Sequence, residues 1–467
     1  MDDQMSTPYF NDVHIVQEKV DFLPASRVTD DRSILTLKSL VMEPLCAWTD
    51  GYVGAALFGR WEVDESGCVW HFHLRSDPVF HDGHRCTAQD VVDFLEAISN
   101  SVDTFGMKWS YARYFAHVQF AAISETTLCV TTARSMGDLP EIFTEFYLSR
   151  IDCEGNATIG SGQYRVEAFT RGQSVRLSHA NGRRVRIEAL PNAEARLAEV
   201  TAGRVDVACQ LDCLENLPRR EGAALQWVHA THCLSVMAYL NCARGFFRSE
   251  VARRAVNLAI DRRHLCQQVY DGLACPAATV VSPWHCGASQ AGLRAIDYDP
   301  DAAREMLRTL DCREELALCS PTYMPEHALK IANFIQDSLQ QVGLKVRVDV
   351  DDDRPAYARK IGCKEMGDIA IFDSSPHSTF RILNDKISSS SRGVWWQGYD
   401  DAALERLITE ANETVDPEHR AVAYGRCLSM LQTNPAWLYL VHPETLVAAR
   451  SGLNGLSVDH KGILHFA

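Results

Sequence analysis

The feature that most limits the fold of this chain is alternation. Along all 467 residues, short β-rich runs trade places with helical segments of apolar period. A strand exposes one face every second residue and a helix one face every 3.6 residues, so each segment can be read from its spacing. The spacing predicts a strand at 13–16 and a helix at 33–45. A hairpin follows, with strands 60–64 and 69–74 around Glu65-Ser66-Gly67. Thr87 precedes a helix at 88–98 as an N-cap. Later helices are expected at 193–201, 262–270, 301–310, 327–342, 402–413 and 417–431. Strands are expected at 128–132, 205–209, 344–350 and 368–372, with two more at 438–441 and 445–449. Strand and helix in turn throughout imply a mixed α/β protein, and the length suggests about three structural units.

Composition narrows the function classes. The chain is 46% hydrophobic, enough to bury a large core and too much for a largely disordered chain. Its formal charge of −15 argues against a broad nucleic-acid-binding face, and no nucleic-acid partner is expected. No apolar run approaches a membrane-spanning length of about 18 residues. The first twenty residues hold acids and no apolar stretch like that of a secretory leader. The 16 cysteines show no zinc-ribbon spacing and read as buried, reduced thiols. Both features point to a cytoplasmic location, with a periplasmic one as the alternative if a leader has been removed.

A series of segments in fixed order resembles the family 5 extracytoplasmic solute-binding proteins, receptors for peptides, nickel complexes and related solutes that feed ABC importers. They include "MEPLCAWTDG", "GRWEVDESGCVWHFHLRSDPVFHDGHRCTAQDVV", "GSGQYRVEAFTRGQSVRL" and "EARLAEVTAGRVDVA". "VARRAVNLAIDRRHLCQQVYDGLACPA", "YDPDAAREML", "IANFIQDSLQQVGLKVRV" and "WLYLVHPETLVAARSGLNGL" continue the series, which covers residues 13–457. The resemblance implies a two-lobed α/β fold of the periplasmic-binding-protein type II class (cluster C), with two crossing strands and a subdomain inserted in lobe I. By that pattern lobe I comprises 1–29, 155–244 and 435–467, the insert is 30–154, and lobe II is 245–434.

Candidate site residues follow from position and from the resemblance. Asp373 ends an apolar strand, where ligands gather in open α/β sheets; in peptide-binding members an Asp there pairs with the ligand's α-ammonium. The family often continues with Tyr and a second Asp, whereas this chain reads Ser374-Ser375-Pro376-His377. Trp395 and Trp396 form the densest aromatic cluster, but neighbours on a strand point to opposite faces, so only one can reach a cleft. Arg381 could meet a ligand carboxylate, against the alternative of a solvated charge. By family position Tyr239 and Asn241 lie near the crossover, Asp21 and Phe22 follow the first strand, and Trp109 and Tyr111 belong to the insert. His81 and His84 in "FHDGH" read as a turn around Asp82-Gly83 rather than as metal ligands. No GxSxG, HExxH, Walker or GxGxxG motif occurs.

The resulting expectation is a monomeric solute-binding protein that closes two lobes around a small polar, peptide-like or amino-acid-derived ligand. It needs no cofactor or metal and would partner an ABC permease if exported. The alternative is a cytosolic protein that reuses the scaffold as an enzyme or ligand sensor.

Overall fold

The computed structural model describes residues 12–27, 29–49, 52–103, 106–217, 225–310 and 314–466. Lobe I is built on strands in the order Tyr164–Thr170, Ser174–His179, Arg184–Ala189, Asp12–Gln17 and Val207–Ala208. Their alternate residues, among them Ile15, Val175, Leu177, Val185 and Ile187, fill one core. Lobe II is built on Ser235–Leu240, Ile369–Ser374, Leu316–Pro321 and Val346–Asp351. Ile369–Phe372 is buried on both faces, which is why it reads as an unbroken apolar run rather than an alternation. No helix among the described residues is long and apolar enough to cross a membrane.

The inserted segment carries an antiparallel sheet in the order Phe58–Val63, Val69–Leu74, Thr127–Thr131, Gln119–Ala122. In Val69–Leu74, Trp70 and Phe72 are buried while His71 and His73 lie on the half-exposed face. Helix Ala88–Ser99 packs against this sheet and starts with a reciprocal capping box between Thr87 and Asp90. Helix Arg32–Val41 ends sooner than its apolar pattern suggests, because Pro44 disfavours helical backbone at Glu43. Gly160 and Gly162 lie against this helix end. A Cβ on Gly160 would come within 1.9 Å of the Val41 carbonyl oxygen.

Trp437–Arg450 is one continuous strand where two were expected. Its first part pairs with Ser235–Leu240 and its last part with Leu225–Thr231. Pro443 lies where the ladder changes partner, so its missing N–H breaks no regular pairing. The crossing segments are therefore 231–235 and 441–445. The span 245–434 lies within the second sheet's block, and strands on either side of it join the same ladder.

The two histidines of the crossing are kept neutral by burial. His232 Nδ1 accepts from the Leu234 N–H at 2.7 Å, so Nε2 carries the hydrogen and donates to the Lys461 carbonyl at 3.1 Å. Ser235 Oγ lies 3.1 Å from His442 Nδ1 on the other strand. Burial lowers the pKa of His232 to about 3 and of His442 to about 4.

The insert meets lobe II along a charged seam. Asp138 accepts from Tyr424 Oη at 2.8 Å and faces Arg420 Nε at 3.5 Å. Glu141 is buried beside them. Burial pushes both carboxyls above their ordinary range, against the pull of Arg420.

Candidate functional site

The ladders locate the cleft. Leu225–Thr231 runs into the crossing, and Trp437–Arg450 runs out of it through lobe I. Val207–Ala208 is antiparallel to the latter and Asp12–Gln17 parallel to Val207–Ala208, so both point their C-terminal ends at the crossing. In lobe II, Ser374 pairs with Ser235 at the crossing, and Leu316–Pro321 runs parallel to that strand. The segments 18–27, 29–31, 209–214, 322–327 and 375–378 thus emerge from strand ends on both sides of one gap, the usual ligand position in such sheets.

Part of this gap is a cavity of about 430 Å³ lined by Glu18, Gln210 and Asp212 from lobe I, Arg32 at the start of helix Arg32–Val41, and Glu326 from lobe II. Arg32 forks onto both oxygens of Asp212 at 2.9 and 3.0 Å. Burial raises the Asp212 pKa, but the Arg32 charge outweighs it and holds the carboxyl below its ordinary range. Glu326 is raised by burial and by Asp212.

A second cluster is built around Arg381, which is 7% exposed. Its Nη1 lies 3.2 Å from Glu145 of the insert and 3.5 Å from Asp30. Its guanidinium stands over the rings of Trp109 and Tyr111, at 5.1 and 5.6 Å. Tyr111 Oη donates to Glu145 at 2.8 Å, and Ser375 Oγ donates to Asp30 at 2.9 Å. Burial raises Glu145 and Arg381 limits the rise. Arg381 Nε has no hydrogen-bond partner among the described residues. His377 lies in the same interior; its pKa is depressed by burial and further by Lys461 and nearby rings.

Asp373 lies at the gap, but it is not free. Arg354 Nη2 approaches it at 3.4 Å, while the same guanidinium donates from Nε to the Met324 carbonyl and stacks over Phe372 at 4.5 Å. Tyr239 and Trp395 pack on Phe372, at 5.5 and 5.0 Å.

The structure thus gathers Arg381, Trp109, Tyr111 and His377 into one cluster and puts Asp373, Tyr239 and Trp395 around Phe372. It puts the other candidates elsewhere. Asn241 sits at the far end of its strand and donates to the Gly367 carbonyl. Phe22 is fully buried against Phe169 in the lobe I core, and Asp21 faces Arg171 at 3.5 Å. Trp396 donates to the Tyr399 carbonyl. His81 Nε2 bonds the Gly162 carbonyl at 2.9 Å, a structural tie. Asp30, Glu145, Arg354 and Glu326 escaped the sequence reading. Only Glu145 carries a signal, an acid set among Phe143, Phe146 and Tyr147.

Residues 53–383 match the family model described as bacterial extracellular solute-binding proteins, family 5 middle. The chain belongs to this family. It is 23% identical over 466 aligned residues to a probable di/tripeptide-binding protein 5 of Pseudomonas aeruginosa, covering 89% of this chain and 87% of the relative. Its fold is similar to that of HbpA2 from Haemophilus parasuis, at 17% identity and a TM-score of 0.83, over 98% of this chain and all of that one. It is also similar to the ABC transporter-associated periplasmic binding protein DppA from Helicobacter pylori, solved with the peptide STSA, at 17% identity and a TM-score of 0.74, over 98% of each chain. The chain is thus a two-lobed solute-binding protein of the type II class. The enzyme alternative draws no support from these relatives.

Proposed function

We propose that the protein encloses a small peptide-like solute between its lobes and hands it to an ABC-type importer, working as a monomer. The observation that carries this reading is the Arg381 cluster. One buried guanidinium meets carboxylates from two other parts of the chain, Asp30 at the cleft and Glu145 on the insert. A ligand carboxylate would compete with Asp30 and Glu145 for Arg381, and the Trp109 and Tyr111 rings would flank it. Asp373 would act as half of a neutral pair with Arg354. Its ammonium-binding role holds only if the ligand draws Asp373 from that partner. Closure needs no covalent step, only tighter ligand binding by the closed form.

The relatives support the solute class, since one is described as a di/tripeptide-binding protein and another was solved with a bound peptide. Native mass spectrometry of the purified protein, followed by thermal shift with a dipeptide mixture, tests the reading. A retained or added peptide that leaves unchanged and raises the melting temperature supports it. Chemical turnover of that peptide, or no peptide binding at all, would sink it. Arg381→Gln should weaken binding at least tenfold.

We further propose that the protein works where thiols stay reduced. All fifteen described cysteines are free, and seven of them are buried. Thiol titration of protein isolated under alkylating conditions checks this. Disulfides in the isolated protein would favour the periplasmic alternative.

A further inference from the structure

The cavity of about 430 Å³ between the lobes is lined by none of the residues that meet the solute's two charged ends. Its size falls in the range of small-molecule sites. One buried arginine shapes its lobe I wall. Arg196, 2% exposed, donates from Nε to the Cys209 carbonyl at 2.8 Å and from Nη2 to the Gln210 carbonyl at 2.6 Å. Its Nη1 donates to the Leu190 and Pro191 carbonyls at 2.6 and 2.8 Å. The guanidinium thus ties the chain leaving Arg184–Ala189 to the chain leaving Val207–Ala208, and holds Gln210 in the left-handed region at φ 49°.

Gln210 is 5% exposed and lines the cavity. Its Oε1 accepts from the Glu18 N–H at 3.1 Å and from Ser33 Oγ at 3.4 Å. Its Nε2 makes no hydrogen bond among the described residues. A buried amide ordinarily uses both ends, so the idle donor needs an acceptor that the free protein does not supply.

The charges around Gln210 do not balance. Glu18, Glu194, Asp212 and Glu326 line the cavity against Arg32 and Arg196. Arg32 is committed to Asp212, and Arg196 to backbone carbonyls. Glu18 shares Lys19 with Asp31, at 3.1 and 2.7 Å. Glu326 forms no hydrogen bond or ion pair among the described residues. Glu18 and Glu326 reach the same cavity from opposite lobes, so their like charges resist closure until a cation lies between them.

We propose that this cavity is a side-chain subsite for a basic residue, lysine or arginine, of the peptide-like solute. Glu326 and Glu18 hold the side chain's ammonium or guanidinium from the two lobes, and Gln210 Nε2 donates to a solute carbonyl beside it. The subsite rests on the peptide-binding reading above. To the two ends placed there it adds a preference for what the solute carries between them.

The test is calorimetry on the full chain with alanyl-alanine, arginyl-alanine, alanyl-arginine and the two dipeptides in which citrulline replaces arginine. Citrulline keeps the shape of arginine and removes its charge. For the tighter of the two arginine dipeptides, that replacement should cost roughly tenfold or more in affinity, the worth of one charge-assisted hydrogen bond. Glu326→Gln and Glu18→Gln should each lower this arginine-to-citrulline ratio several-fold. Glu326→Gln breaks no contact of the free protein, so its melting temperature should hold. Gln210→Glu keeps the acceptor for the Glu18 N–H, replaces the idle donor by a third acid and should widen the ratio. If none of the dipeptides binds the unaltered protein, the underlying reading fails and this subsite with it. If they bind and arginine gains nothing over citrulline, the subsite alone is refuted. A preference for arginine that all three variants leave unmoved refutes it too, and places the basic side chain elsewhere in the cleft.

Discussion

The crossing between the lobes and the seam between the insert and lobe II both bury ionisable groups, and they do so in opposite ways. At the crossing, His232 and His442 are kept neutral, and both nitrogens of His232 and Nδ1 of His442 are met by backbone and hydroxyl partners. At the seam, Asp138 and Glu141 share one buried cation, Arg420. With its two histidines neutral, the crossing can bend without moving a histidine charge through a low-dielectric interior. A seam of shared charges favours one register and resists partial opening. The difference suggests that the crossing is the compliant element and the seam a latch.

Breaking the latch should have the largest effect. Arg420→Met leaves the buried Asp138 carboxylate without its cation and should cost about 3–5 kcal/mol in denaturant unfolding. A cost below about 1 kcal/mol would mean that the seam is solvated. The crossing should respond less. His232→Phe leaves the Leu234 N–H and the Lys461 carbonyl unmatched, at about 1–3 kcal/mol, with a larger effect on closure rate than Arg420→Met produces per unit of stability lost.

Acidity should separate the two regions by sign. The histidines at the crossing are depressed to about 3 and 4 from an ordinary value of 6.5. The unfolded chain therefore takes up protons that the folded crossing refuses, and stability is lost as pH falls from about 6.5 towards 4, by up to about 1.4 kcal/mol per pH unit for each ring. The seam acids are raised, so the folded seam holds protons that the unfolded chain releases. Their contribution is present at low pH and declines as pH rises through the raised values. His442→Gln should flatten the acid limb of the stability profile and Glu141→Gln the opposite limb; the same limb changing in both would collapse the distinction. The smallest effect belongs to a residue outside both regions. His84 is half exposed in the "FHDGH" turn, and His84→Ala should shift stability by no more than about 0.5 kcal/mol, with no metal-dependent change in melting temperature.

Much of the fold was legible because each element carries its own period and cap. Thr87, Asp261 and Asp299 cap the helices that follow them, and the alternation in Val69–Leu74 survives in its burial. The strand Trp437–Arg450 was harder to read. Pro443 looks like a break until the exchange of partners around it is known. The site was half legible. Arg381, Trp109 and Tyr111 were found, but their meeting depends on a contact between segments more than 250 residues apart, which no local pattern encodes. Asp373 was correctly placed at the end of its strand, yet nothing near it in sequence announces Arg354, which reaches it from the first turn of a helix. Asn241 was misleading for the opposite reason. It is two residues from Tyr239 on a strand whose other end faces the gap.

The shared strand Trp437–Arg450 has a thermodynamic consequence. Each lobe borrows interior pairing from the same stretch of backbone, so neither can melt without fraying the other's sheet. The molecule should therefore lose structure as a single cooperative unit despite its bilobed shape, and a backbone cut between 442 and 445 should destabilise both halves at once.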